Sequence, residues 1–289
     1  MNRSARLQML LSMLIFGTIG LLVKYTPLPS AAIALLRGAI GLVFLLLVMA
    51  VKHQTVSPAA IKANLLILIL SGIALGGNWM LLFEAYQYTT VATATLCYYL
   101  APVFVVLLSP VFYKEKLTGR KLLCTLVALI GMVLVSGVLE AGFHISQLTG
   151  VLYGLAAAVL YATVVLLNKA LRNISALERT VAQLLISSVV LLPYVLFTTP
   201  EGAFRLAPLA LVFMLVLGIV HTGVAYSLYF HAVGVLPAQT AALLSYLDPV
   251  LAVLLSALLL REPMGWSVGI GAVLILGSTL VSELGSKSK

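Results

Sequence analysis

Runs of about 20 apolar residues recur along the whole chain, and a helix of that length is what crosses the hydrocarbon core of a bilayer. Ten such spans are readable: 7–23, 31–51, 64–86, 91–113, 120–139, 147–168, 178–197, 206–230, 236–259 and 265–284. Soluble domains carry about 45–50% apolar and about 25% charged residues. This chain is 62% hydrophobic and 9% charged, which leaves a soluble fold nowhere to put its apolar surface. A transmembrane β-barrel would show short alternating strands, not long unbroken runs. The loops are short and leave no room for a soluble domain. The basic-then-apolar start imitates a signal peptide, but the first span has a repeat partner and so belongs to the fold.

The formal net charge of +9 is a topological signal. With the N-terminus in the cytoplasm, 13 of the 17 Lys and Arg fall on the inner side and 3 on the outer, with Arg37 inside a span. The positive-inside rule then places both termini in the cytoplasm of a multi-pass inner-membrane protein. No nucleic-acid partner is needed to explain the charge. Cys97 and Cys124 both fall within spans and read as buried free thiols.

The chain is also a duplication. Shifting residues 83–115 by 147 onto 230–262 matches 14 of 33 positions, including Thr93/Thr240, Tyr99/Tyr246, Pro102/Pro249 and Glu115/Glu262. The frame Tyr-Leu-x-Pro-Val appears at 99–103 and at 246–250, with Ala101 in one copy and Asp248, the chain's single aspartate, in the other. IFGTIGLLVK (15–24) lies against LYATVVLLNK (160–169). Five spans per half is an odd number, so the second half enters the membrane inverted. Inverted repeats of this kind build secondary transporters, with the substrate site near the midplane.

The two Pro frames, the Glu after each (YKEKLTG, 113–119; LREPMGW, 260–266) and the Gly-rich closing spans (GMVLVSG, 131–137; GIGAVLILGS, 269–278) resemble the EamA-type members of the drug/metabolite transporter superfamily. The resemblance covers the whole chain. It implies an all-α bundle of ten transmembrane helices, arranged as two inverted five-helix repeats (1–140 and 141–289) around a central cavity, with the fifth and tenth spans at the periphery. It also implies small-molecule transport, most often export of amino acids or related metabolites.

Membrane-level polar residues supply the candidate site. A carboxylate at the centre of a lone helix costs about 2.5–3.5 kcal/mol on insertion scales, so Asp248 asks for a function or a partner. Pro102 and Pro249 predict helix breaks, with Asp248 at the N-cap position and Pro249 opening the next segment. A cap alone, and a cap that also binds substrate or protons, both stay open. Arg37 and Glu84 lie at similar depth and have opposite charge. They predict a gating or structural ion pair near the outer mouth. His221 is a weak proton-relay candidate against the plainer reading of a polar His with a partner. His231, ten residues on, is about 15 Å away along a helix, so the two cannot share a metal.

Phe16 and Tyr161 are repeat equivalents. With Trp79, Tyr98, Tyr99, Tyr226 and Tyr246 they sit inside spans, away from the interfacial belts where Trp and Tyr usually lie. Those that line a cavity would suit an aromatic, apolar or cationic ligand. GGNW (76–79) predicts a close helix contact or a local break, and Asn78 adds a hydrogen-bonding group there. Glu115 and Glu262 read as turn or cap residues.

These features predict a secondary transporter, not an enzyme, for small organic metabolites, working by alternating access and exporting. No nucleotide-binding motif, metal cluster or cofactor motif is present in the sequence. The expected partners are the substrate, the bilayer and protons as a candidate coupling ion, in a monomer or homodimer. Import of a quaternary amine is the alternative, and a membrane-embedded lipid enzyme a distant one.

Overall fold

The structure, a computed structural model, describes residues 3–24, 26–88, 94, 97–135, 148–200, 207–248, 250–251 and 266–285. Among these there is helix, turn and loop but no strand. Five helices are long and apolar enough to cross a membrane by length and composition: Ser30–Val51, Leu65–Leu82, Leu148–Ala170, Ala176–Thr198 and Pro208–Val235. They are the second, third, sixth, seventh and eighth spans. The first span is two helices, Arg3–Phe16 and Ile19–Lys24, joined at Gly17 and Thr18. The fifth is Gly119–Val135 and the tenth Trp266–Gly285.

The fourth and ninth spans are interrupted, at equivalent places. In the fourth, Cys97 and Tyr98 are helical, Tyr99 and Leu100 form a turn, and a helix runs over Ala101–Tyr113. In the ninth, Ala238–Ser245 ends at a turn on Tyr246, and Leu247 and Asp248 are helical again. The breaks predicted from the Pro frames are therefore present, but they fall earlier than expected. Ala101, directly before Pro102, already opens its helix, so Pro102 occupies the second helical position. Asp248 likewise stands inside a helical turn rather than at the N-cap. Pro lacks only a backbone N–H, and the first turn of a helix leaves its N–H groups free of intrahelical partners, so the second position tolerates Pro as well as the first. Pro249 and Glu262 lie outside the described residues.

Contacts between spans follow the duplication. The third packs on the sixth as the first packs on the eighth, and the seventh on the third as the second on the eighth. The sixth meets the fourth as the first meets the ninth. Second with seventh, fourth with ninth, and fifth with tenth are self-matching pairs. Each pairing joins opposite halves. Close approach needs small residues: a Cβ at Gly131 on the fifth span would lie 2.7 Å from the backbone oxygen of Gly271 on the tenth. GGNW makes a close contact, not a break, because the third span runs as helix through it; a Cβ at Gly76 would come within 3.2 Å of the Ser187 backbone.

The outside of the bundle is apolar. Phe197, Val111 and Leu66 are 90%, 77% and 69% exposed. Such a surface is at home against lipid chains. The interior holds the polar groups, including Gln183 and Gln239, both fully buried. Gln183 donates to Ser71 Oγ (2.6 Å) and to Asn168 Oδ1 (3.2 Å), and Gln239 donates to Ser109 Oγ (2.7 Å). Each amide nitrogen thus has a partner, while each amide oxygen is left without one among the described residues.

Candidate functional site

The repeat equivalents Trp79 and Tyr226 face each other between the halves. Trp79 Nε1 donates to the Tyr226 hydroxyl at 3.2 Å, and the rings meet edge-on with centroids 5.9 Å apart. Arg37, from the second span, joins them. Its guanidinium lies 4.4 Å from the centre of the Trp79 ring, and Nη2 reaches the Tyr226 hydroxyl at 3.4 Å.

From Tyr226 a wall of rings continues toward the interrupted helices. Phe16, where the first span breaks, stands edge-on to both Tyr226 (5.3 Å) and Tyr229 (5.9 Å). Tyr229 stacks with Tyr161 at 6.3 Å, Tyr161 meets Tyr98 at a tilt at 5.4 Å, and Tyr98 meets Tyr99 edge-on at 5.8 Å. The far end is charged: Tyr99 donates to Asp248 Oδ2 at 3.0 Å. Tyr98, Tyr161 and Asp248 are each half-buried. The site is thus an aromatic wall, built from both halves, with a guanidinium at one end and a carboxylate at the other.

Several expected residues are elsewhere. Arg37 and Glu84 do not pair. Arg37 is held by Trp79 and Tyr226, while Glu84 accepts from the Tyr194 hydroxyl on the seventh span. Similar depth along two helices does not by itself bring two side chains together, and each here is held by another partner. Tyr246 is fully buried behind the site with Leu243, Val250, Met132 and Ile275, and its hydroxyl has no partner. It packs the ninth span against the fifth and tenth. Asn78 is fully buried and donates to the Ala157 carbonyl at 2.7 Å, tying the third span to the sixth. Pro102 is buried in the first turn of its helix.

His221 finds two partners. Nε2 lies 2.7 Å from Thr18 Oγ1 and Nδ1 lies 3.2 Å from the Val216 carbonyl. A carbonyl only accepts, so Nδ1 carries a proton toward Val216; Thr18 Oγ1, with a single proton, lies 2.7 Å from both Nε2 and the Ile15 carbonyl. His221 sits in a π-helical stretch, Leu217–Val224, within the eighth span. Among the described residues no three His, Cys, Asp or Glu form a group able to hold a metal. Cys97 and Cys124 are buried thiols.

Two features were not singled out from sequence. Tyr229 is central to the wall; it lies one helical turn after Tyr226, a spacing that puts both on one face. The second is a polar latch at the end of the bundle assigned to the cytoplasm. Glu115 accepts from the backbone N–H groups of Ala238 (2.9 Å) and Gln239 (3.4 Å), capping the N-terminus of a helix in the other half. Lys169 lies 3.5 Å from Glu115 and donates to the Leu236 carbonyl at 2.8 Å. Arg179 adds hydrogen bonds to the carbonyls of Asn168 and Phe230.

Comparison with known proteins agrees with this architecture. A protein of Bacillus subtilis (strain 168) named "uncharacterized transporter YxxF" is 31% identical over 255 residues, covering 87% of this chain and 80% of that one. An "uncharacterized transporter" of Archaeoglobus fulgidus is 30% identical over 200 residues, covering 68% and 69%. A solved crystal structure superposes with a TM-score of 0.88 at 20% identity, covering 99% of this chain and 100% of that one, which shows a shared fold. The description "EamA-like transporter family" matches residues 3–137 and again residues 148–283, one match for each half, and the chain belongs to that family.

Proposed function

We propose that this transporter moves small organic metabolites, amino acids or related compounds, across the cytoplasmic membrane by alternating access, with export as its direction. One observation supports this above the others: Tyr99 and Asp248, from the two copies of one frame, meet at the end of an aromatic wall supplied by both halves. A site shared between inverted repeats is open to whichever side the halves leave free. Asp248 is the candidate group for holding a substrate amine or a coupling proton, and Tyr99 sets its position.

The latch of Glu115, Lys169 and Leu236 ties the two halves together at one end of the bundle. Alternating access requires such contacts to form and break in turn.

The test is transport by purified protein in liposomes loaded with labelled amino acids and amines, with and without a pH gradient. Exchange above empty liposomes, lost in D248N, is the expected result. Failure of the wild type to move any member of the panel would overturn the reading. Dependence of the rate on the pH gradient would identify protons as the drive; insensitivity to it would leave the substrate's own gradient.

A further inference from the structure

We infer that Arg37 is the anion-binding residue of this site, taking the carboxylate of the substrate with the Tyr226 hydroxyl beside it. The inference rests on the aromatic wall being where substrate binds.

Arg37 is 5% exposed, and a guanidinium so far from water needs compensation. What it has is little. It lies over the Trp79 ring and makes one long hydrogen bond, 3.4 Å, to Tyr226. Its buried Nε has no partner. Among the described residues, four of its five N–H donors have no acceptor and no carboxylate pairs with it. Glu84, the natural counter-ion by depth, is taken by Tyr194. Asp248 is taken by Tyr99.

The neighbours hold the guanidinium in place without using its donors. Stacking on Trp79 fixes its plane and is well suited to Arg. The Tyr226 oxygen accepts from both Trp79 and Arg37, so its own proton is left to donate. A fixed guanidinium with free donors beside a free hydroxyl is a set of donors and no acceptor. Its complement is a planar oxyanion, for which Arg offers paired, geometrically matched donors.

Arg37 stands at one end of the wall, on Trp79 and Tyr226, and Asp248 at the other, on Tyr99. The wall between them is aromatic. The ligand that uses all three features has a carboxylate, an apolar or aromatic body and an amine. A quaternary amine alone would leave Arg37 uncompensated and would meet its positive field.

The test uses the full-length protein with Trp266→Phe, which leaves Trp79 as the single tryptophan, under Arg37. Trp79 emission is followed during titration with matched triads: phenylalanine, leucine and lysine, each beside its decarboxylated amine and its deaminated acid. The expected result is that carboxylate-bearing members bind and the amines bind more weakly. Arg37→Met should weaken the carboxylates by about ten- to hundredfold, the worth of a hydrogen bond to a charged group, and leave the amines nearly unchanged. Arg37→Lys, which keeps the charge and loses the fork, should restore part of the affinity. Size-exclusion profiles establish that each variant is folded.

Two outcomes overturn the assignment of Arg37 while leaving the transporter intact: amines binding as well as acids, or Arg37→Met binding carboxylates like the parent. Binding of no member of any triad would overturn the substrate site itself, and Arg37 with it.

Discussion

Tyr99 donates a hydrogen bond to Asp248 at 3.0 Å, so the two copies of one duplicated frame meet through the position at which they differ. Where the second copy carries Asp248, the first carries Ala101, which is buried and mute. The tyrosine of the first frame serves the carboxylate of the second, whereas the tyrosine of the second, Tyr246, is packed away. Duplication supplied the pair of interrupted helices. The single aspartate turned one of them into a polar site.

Asp248→Asn is expected to reduce transport by about ten- to hundredfold, the worth of a hydrogen bond to a charged group. Tyr99→Phe leaves the charge and removes one donor, so its loss should be smaller. Rates in proteoliposomes check both. Wild-type rates in Asp248→Asn would remove Asp248 from the mechanism.

Arg37 and Glu84 have separate partners, so reversing both charges should restore nothing. Arg37→Glu with Glu84→Arg is expected to be at least as impaired as Arg37→Glu alone. Glu84→Gln still accepts from Tyr194 and should cost less than about 1 kcal/mol of stability. Transport and thermal unfolding of the three variants are the measurements. Recovery in the double variant would mean that the two groups do pair.

At the latch, Glu115 neutralises the N-terminus of a helix from the other half. A carboxylate there gains from two charge-assisted bonds and from the helix dipole. Glu115→Gln should speed hydrogen exchange at Ala238 and Gln239 by about tenfold, equivalent to about 1.4 kcal/mol. Lys169→Met removes one partly exposed ion pair and should do less, since such pairs contribute about 0–1 kcal/mol. Unchanged protection in Glu115→Gln would dissolve the latch.

What the sequence makes legible here depends on the kind of signal each residue sends. The spans are written in apolar runs, and the interrupted helices in the repeated Pro frame. Trp79, Tyr226, Phe16, Tyr161, Tyr98, Tyr99 and Asp248 stand out because polar or aromatic groups are costly or unusual at mid-span, and the structure brings them together. Arg37 and Glu84 misled because rise per residue gives depth and says nothing of which neighbour each helix face meets. Tyr229 falls at the end of the span 206–230, where a Tyr is ordinary. Glu115 reads from the sequence as a turn or cap residue, and it caps a helix, but its partners could not be read, because Glu115, Lys169 and Ala238 come from three parts of the chain whose packing is set by the whole bundle.

The break in the first span and the π-helical stretch of the eighth are tied by a hydrogen bond between Thr18 and His221. The wide π turn needs its own partners, and side chains supply them. Nδ1 of His221 and Oγ1 of Thr222 each donate to a carbonyl five residues back, Val216 and Leu217. His221 is 3% exposed, so any ring nitrogen that loses its partner stays unsatisfied. Thr18→Val should therefore destabilise by about 1–3 kcal/mol. His221→Phe removes the group that Thr18 serves, and Thr18 keeps the Ile15 carbonyl as an acceptor at 2.7 Å. The double variant should then cost less than the sum of the singles, by about 1 kcal/mol of coupling. Denaturant unfolding of the four proteins measures that term. Additivity would show that the bond contributes nothing. Coupling would show that this bond holds the broken first span to the π-helical stretch of the eighth.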